Sequence, residues 1–537
     1  MTIDSLYNNI DKNNFYIGRI SQVYRDNSIA QVENLTLLSH RKIIDESLIP
    51  NTINYLVVID SIRGVFLGEV FHSKVPSSEN LHESIHLGKP ETVFPEINID
   101  IIGLMTHHDK KFKLPEFFTV GITDKVYLAN KTIVQKYVES LETNTSSEDY
   151  LPAFATYPNM ENVEVSLKPS TLFNRHLFVV GATNSGKSTS ALSILDKLVI
   201  VKKKALIIDP TGEYQNSFST HEVKKLNLGI DTTISPGKIS MQQWSMLFET
   251  NSNTQNAVLA EAIRSLRYQR KNRQTTYLKK EGENIAQMQL NLASVSDSDT
   301  DFDISLLPEQ IAAESVSEPP NNRGTAYIYD SFRSNLNSYL IQKVNFQLSN
   351  TNFLSFFTHN PGMFDLLNEI DEFIHKPNTS LYINTSTLGA TEGIGGMIID
   401  LICNFIIGEN NISPFVFFID EVHRYTKSLY SENEFHAGLT LVAREGRKKG
   451  IFLFLTSQNP QDVSSVLLGQ VGTLLVHRLT HNDEIRSIRN HLDDYSVKQI
   501  KKLNQGEAIL TSINLLQNIF IHVIKCTRKQ DNDTPML

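Results

Sequence analysis

The chain has 537 residues, enough for about three to four domains at roughly 150 residues each. Apolar residues make up 40% and charged residues 20%, which excludes collagen-like, coiled-coil and wholly disordered chains. Fifty basic residues against 59 acidic ones leave a net charge of −9, which excludes a uniformly basic nucleic-acid coat but allows a local basic site.

The N-terminus, Met1 to Phe15, is polar and has no apolar signal core. Ile17–Val23, Ser28–Val32, Tyr55–Ser61 and Val65–Phe71 are apolar and β-branched with turn residues between them. Further strands are expected near Ile101–Met105 and Phe117–Gly121, so this region reads as a small antiparallel barrel or sandwich. Lys131–Leu141 has helical character, and the polar stretch Glu142–Asp149 reads as a linker.

From about Asn174 the pattern changes. His176–Val180, Ala205–Ile208, Leu381–Ile383, Phe415–Ile419, Ile451–Leu455 and Leu474–Val476 are continuous apolar runs separated by helix-sized segments. Runs without alternation predict strands buried on both faces, as in a parallel α/β sheet. The gap from about Gln215 to Ser380 is too long for a loop and predicts an inserted helical subdomain. Within it, Asn291–Asn322 is rich in Ser, Asp, Glu and Pro and reads as a mobile loop. No apolar run approaches the ~18 residues needed to cross a bilayer. The two cysteines, Cys403 and Cys526, cannot form a disulfide framework. A soluble cytoplasmic protein is expected.

Gly181, Ala182, Thr183, Asn184, Ser185, Gly186, Lys187 and Ser188 match G-x-x-x-x-G-K-[ST], between a strand-like run and a helix opening at Thr189. The glycines let the backbone wrap a phosphate without a Cβ clash. The amides then form an anion nest at a helix N-terminus. Lys187 supplies a point charge, and the Ser188 hydroxyl suits Mg²⁺, a hard ion. The run Phe415–Ile419 ends in Asp420 and Glu421; at a strand tip Asp420 suits the metal shell, and Glu421 suits orienting and deprotonating a water. Asp209 to Tyr214 ends the second run, where Glu213 is either a second water-orienting acid or part of a polar turn. Gln458 is either a sensor of the outer phosphate or a loop amide. Arg444 and Arg447 end a predicted helix and serve either as transition-state fingers acting in trans or as C-terminal caps. Arg264 to Lys280 holds seven cations and no acid; it either tracks a nucleic-acid backbone or is a solvated or partner-docking face.

GATNSGKST at 181–189, DPTGEY at 209–214, FFIDEVHRY at 417–425, REGRKKG at 444–450, TSQNP at 456–460 and LNQGEAIL at 503–510 together resemble the HerA family of hexameric DNA-translocating ATPases. Gly18-Arg19-Ile20 is similar to the opening strand of that family's HAS barrel. The resemblance implies an α/β fold: a RecA-like P-loop ATPase core with a parallel sheet, an N-terminal HAS-like β-barrel and an inserted helical subdomain. It divides the chain into a barrel at 1–145, a core at 150–235 and 380–525, a helical insertion at 236–379 with its mobile loop at about 291–322, and a C-terminal arm at 526–537. It implies ATP and Mg²⁺ as cofactors, with residues 181–189 on the phosphates, Ser188 and Asp420 on the metal, and Glu421 on the catalytic water. Arg444 or Arg447 would reach a neighbouring site in a homo-hexamer that passes double-stranded DNA through its channel. The family works with a NurA-like nuclease in DNA-end resection, and bacterial relatives pair with sirtuin-like or nuclease effectors in antiphage defence. An alternative role is an ATP-controlled scaffold that assembles or activates a partner effector.

Overall fold

The computed structural model describes residues 3–531 apart from 8–9, 26, 44–45, 49, 51, 77, 144–146, 159–162, 252–253, 321–323, 359–360, 388–393 and 426–436. The chain forms two compact units: one of Met1–Asn174, Gly181–Lys197 and Gly472–Lys525, the other of Arg175–Val180, Leu198–Val471 and Cys526–Leu537.

In the first unit, β1 (Tyr16–Val23), β2 (Ser28–Val32), β3 (Tyr55–Ser61), β4 (Gly64–Lys74), β5 (Glu96–Thr106) and β6 (Lys125–Leu128) close a barrel in the order β1-β2-β5-β4-β3-β6. Every pairing is antiparallel. Closure removes the exposed edges that a small sheet would otherwise present. Ile20, Val57, Phe66, Ile97 and Val126 fill the interior. The expected strand at Phe117–Gly121 does not form; the sixth strand lies at Lys125–Leu128 instead. Phe117 is fully exposed, Phe118 lies under the Arg63 guanidinium, and the Asp124 carboxylate takes the Gly121 N–H to close a turn. A second, antiparallel sheet runs Glu164–Val165, Ala155–Thr156, Ile519–Val523, Glu507–Ser512, Thr473–Val476. The unit also carries most of helix α1 (Lys187–Ile200).

The second unit is built on a parallel sheet of β7 (Leu177–Val180), β8 (Ala205–Asp209), β9 (Val223–Asn227), β10 (Ser380–Asn384), β11 (Phe415–Ile419) and β12 (Ile451–Ser457). The order is β7-β12-β11-β8-β10-β9. Register pairs Val180 with Ser457, Ile419 with Leu455 and Ile208 with Ile419. The carboxyl ends of these strands therefore share one edge, where open α/β sheets bind ligands. β7, β8, β10 and β11 are buried throughout, which is why they read as unbroken apolar runs.

Between β9 and β10 lies the helical insertion. It contains α2 (Gln255–Lys271), α3 (Leu307–Ala313) and α4 (Ser331–Leu348), with Ile285–Ala293 between the first two. The supposed mobile loop at 291–322 is structured over its described residues; 321–322 lie outside them. Phe302, Ile304, Leu307 and Ile311 are buried, and the last three recur at helical spacing among the polar residues. Its acids meet bases of α2: Arg270 Nε donates to Asp301 at 3.0 Å, and Lys271 Nζ to Asp299 at 2.7 Å. Phase within the segment, not its average composition, decides its order. The unit then adds α5 (Ile394–Gly408) and α6 (Ala437–Glu445). No helix among the described residues is long and apolar enough to cross a membrane.

Candidate functional site

The segment Gly181–Ser188 continues from the carboxyl end of β7 and opens α1. Asn184 and Gly186 take φ of +62° and +107°, which turns successive peptides inward. The Ser185 N–H donates to Ala182 O at 3.1 Å, closing the turn. The strand Thr473–Val476 and the segment 503–507 form the floor. Ala182 N–H donates to Arg478 O at 2.9 Å, Gly506 N–H to Ser185 O at 3.1 Å, and Gln505 Nε2 to Asn184 Oδ1 at 2.8 Å. A β-carbon on Gly181 would sit 2.4 Å from Ser185 Oγ and 2.7 Å from His477 Cβ, and one on Gly186 would sit 3.0 Å from Gly506 N. Both glycines are required by close approach as well as by the turn.

His477 lies wholly buried beneath the loop. Its Nδ1–H donates to Glu507 O at 2.9 Å, so its Nε2 accepts from Ser190 Oγ at 2.8 Å. Burial first, and then the charge of Lys187, lower its pKa to about 4. The ring is therefore neutral at pH 7 and adds no charge to the cation already there. Lys187 is 5% exposed. The Ser185 hydroxyl is buried without a hydrogen-bond partner among the described residues, and the first turn of α1 holds amides with no intrahelical acceptor. Thr183 and Asn184 are exposed; Ala182, Ser188 and Thr189 are half-buried. A cradle that admits no Cβ, an orphaned hydroxyl and a helix N-terminus together fit an anion of phosphate geometry.

In the second unit, Asp420 and Glu421 follow β11 and are 2% and 4% exposed. Thr456 Oγ1 donates to Asp420 Oδ1 at 2.5 Å and accepts the Glu421 N–H at 2.8 Å, so one hydroxyl of β12 fixes both residues. Glu421 holds φ +46°, an uncommon state for a non-glycine residue. Gln458 Nε2 donates to Glu421 Oε1 at 2.9 Å, and the Gln458 N–H donates to Oε2 at 3.2 Å. His423 Nδ1 lies 3.2 Å from Oε2. Gln458 thus engages Glu421 itself, a positioning contact that the reading of Gln458 as a phosphate sensor did not anticipate. On the adjacent β8, the fully buried Asp209 takes the N–H groups of Thr211, Gly212 and Tyr214 and the hydroxyl of Tyr382. It shapes the turn that carries Glu213.

A family model described as "Helicase HerA, central domain" matches residues 155–391. A probable helicase of Methanocaldococcus jannaschii is 23% identical over 371 residues, covering 65% of this chain and 62% of that protein. The DNA double-strand break repair helicase HerA of Sulfurisphaera tokodaii is 24% identical over 391 residues, covering 70% of each chain. The solved structure of VirB4 of Thermoanaerobacter pseudethanolicus, 14% identical, aligns with a TM-score of 0.50 over 72% of this chain and 98% of that one, a likeness of fold. The chain is thus similar to the HerA helicases, with its family-model match confined to residues 155–391. Its match spans 62% of the length of the first of these relatives.

Arg444 in the last turn of α6 and Arg447 in the turn Gly446–Lys449 that follows it are both exposed. Lys449, in the same basic turn, donates from Nζ to Ile407 O and Glu409 O at the carboxyl end of α5, a different helix. His176 Nε2–H donates to Ala443 O at 2.9 Å while its Nδ1 accepts the Leu453 N–H, so the turn before Arg444 is anchored. Arg444 and Arg447 are left projecting from a fixed base.

Glu213 Oε2 accepts from Gln530 Nε2 at 3.3 Å, and Glu213 O accepts the Asp531 N–H at 3.0 Å. Arg528 pairs with Glu222 at 2.8 Å. The first residues of the expected C-terminal arm therefore lie on their own unit; 532–537 fall outside the described residues. The basic stretch is also engaged internally. Arg264 Nε donates to Leu292 O at 3.1 Å, Arg270 and Lys271 bind Asp301 and Asp299, and the buried Lys280 pairs with Glu314. His477, Thr456 and Asp209 were not singled out from the sequence for these roles. For Asp209 the signal was present in Asp-Pro-Thr-Gly, a turn-forming tetrad.

Proposed function

We propose that this chain hydrolyses ATP with Mg²⁺ as part of a homo-hexameric ring, moves double-stranded DNA through that ring as a HerA-type translocase or helicase, and works with a separate NurA-like nuclease or defence effector. The observation that carries this reading is the loop Gly181–Ser188, bent by positive φ over a neutral His477 at the mouth of α1. In this reading the loop amides and Lys187 hold the phosphates. Ser188 and Asp420 would hold Mg²⁺, which when bound neutralises phosphate charge. Glu421, aligned by Gln458, receives the proton of the attacking water. The exposed Arg444 and Arg447 extend from α6 toward a neighbouring copy, and Glu213 acts on the pocket through its turn. The relatives' names supply the DNA part of the proposal.

One observation favours the scaffold alternative, in which ATP controls assembly of a partner effector. Arg264, Arg270, Lys271 and Lys280 are committed to internal partners, so much of the basic stretch is unavailable to a phosphate backbone. Steady-state ATP turnover at low salt, with and without duplex DNA, separates the two. The motor reading expects DNA to raise turnover and Lys187→Ala to abolish it. Turnover that ignores DNA refutes the motor and supports the scaffold.

A further inference from the structure

The first unit contains a cleft between the barrel and the segments at 157 and 493–521. Its inner part is a cavity of about 190 Å³ lined by Glu69, Tyr157, Tyr495, Gln517 and Phe520, among others. It continues into an outer cavity of about 320 Å³ that adds Phe71, Asp100 and Asp493. Glu69 on β4 and Asp100 on β5 are direct cross-strand partners. Like charges in that relation are destabilising unless something intervenes. Burial first, then Asp100 and Asp493, push the Glu69 pKa up to about 7. Among the described residues no donor reaches the Glu69 carboxylate. Tyr157 is 7% exposed and lines the inner cavity, and its hydroxyl likewise has no partner among the described residues.

The other polar groups on the wall reveal what is missing. Three of their donors are already engaged: Gln517 Nε2 on Tyr137 OH at 2.5 Å, Asn518 Nδ2 on Asp493 Oδ2 at 2.7 Å, and Tyr495 OH on Asn54 Oδ1 at 2.6 Å. The carboxylates of Glu69, Asp100 and Asp493 together leave this space a negative wall. Tyr495 and Phe520 pack edge to face at 5.6 Å beside it. A ligand that is cationic, rich in donors and planar enough to lie against an aromatic ring suits this wall. That is a guanidinium.

We propose that this cleft receives an arginine side chain presented by a partner polypeptide, with Glu69 as its carboxylate and Tyr157 and Tyr495 lining its path. A polypeptide fits better than the free amino acid. The α-carboxylate of free arginine would face Asp100 and Asp493 in the outer cavity, and only Lys502, exposed at the rim, could offset it. The assignment is independent of the ATPase reading, since it uses no residue of the phosphate loop or the acidic edge.

The test uses the full-length protein and a capped tripeptide, acetyl-Gly-Arg-Gly-amide, in saturation-transfer NMR and equilibrium dialysis. Controls are the same peptide with citrulline, which keeps the shape and loses the charge, and free L-arginine. The expected result is saturable binding of the arginine peptide, at least tenfold weaker binding of both controls, and at least tenfold loss in Glu69→Gln. Tyr157→Phe should weaken binding severalfold. Glu69→Gln should melt no lower than the parent, because it removes an unpaired buried charge; a structural role would lower the melting temperature instead. Equal binding of the citrulline peptide, unaltered binding by folded Glu69→Gln, or no binding of the arginine peptide would each overturn the proposal. Free arginine binding as tightly as the capped peptide would overturn the polypeptide as its source.

Discussion

The loop Gly181–Ser188 rests on a histidine whose protonation is incompatible with its hydrogen bonds, and this makes the loop acid-labile. His477 donates from Nδ1 to Glu507 O and accepts at Nε2 from Ser190. A proton on Nε2 would meet Lys187 nearby and displace the Ser190 hydroxyl proton. Burial and Lys187 set the pKa of the ring at about 4 in the folded state, against about 6.5 when exposed. The folded value is depressed, so the stabilisation is complete above about pH 6.5 and is lost as pH falls toward 4. Between pH 7 and pH 5 the open loop takes up the proton and the closed loop does not, a difference worth about 2 kcal/mol. Native-state hydrogen exchange reads this locally through the Gly506 amide, which donates to Ser185 O in the loop. Its opening free energy should fall by about 2 kcal/mol from pH 7 to pH 5. His477→Gln keeps one donor and one acceptor but does not titrate, and should show no comparable fall. Parallel pH profiles in the two proteins would refute the argument.

Two further outcomes follow from the acidic edge and the insertion. Glu421→Gln should keep nucleotide affinity and lower turnover by about 10²–10⁴, and Gln458→Ala should lower turnover by less without changing affinity; single-turnover hydrolysis against a binding titration tests both. In the insertion, Lys280→Ala strands the buried Glu314, which also accepts from Ser265 and Gln310, and should cost about 3–5 kcal/mol by exchange of α2 and α3 amides. The exposed Lys271→Ala should cost far less.

What was legible in the sequence were features whose physics is local. Buried parallel strands leave unbroken apolar runs, and five of the six expected in the α/β region are strands of the parallel sheet, while the sixth, Leu474–Val476, is a strand that pairs antiparallel with Glu507–Ser512. The phosphate loop announces itself because a tight turn, a close approach and a cation occur within eight consecutive residues. The barrel strands were legible as β-branched apolar runs between turn residues, except where Phe117 and Phe118 looked like strand residues but serve on a surface turn. Pattern reading does not tell an apolar side chain that is buried from one that is spent on the surface.

Pairing across long separations was not legible. His477 lies 287 positions from the Ser190 it supports, and nothing in its neighbours distinguishes it from any strand-end histidine. The cations of 264–280 and the acids of 297–301 show the same failure from both sides. Read separately, the first segment suggested a track for a polyanion and the second a disordered loop, because unpaired charge favours solvent. Read together they neutralise each other: each Arg–Asp or Lys–Asp contact removes one cation from any external phosphate and ties one acid to a helix. A charge run has no function of its own until its partner is known. If this chain does grip DNA, the grip therefore has to come from cations other than Arg270, Lys271 and Lys280, and the salt dependence of DNA binding should be unchanged when Lys271 is replaced by Ala.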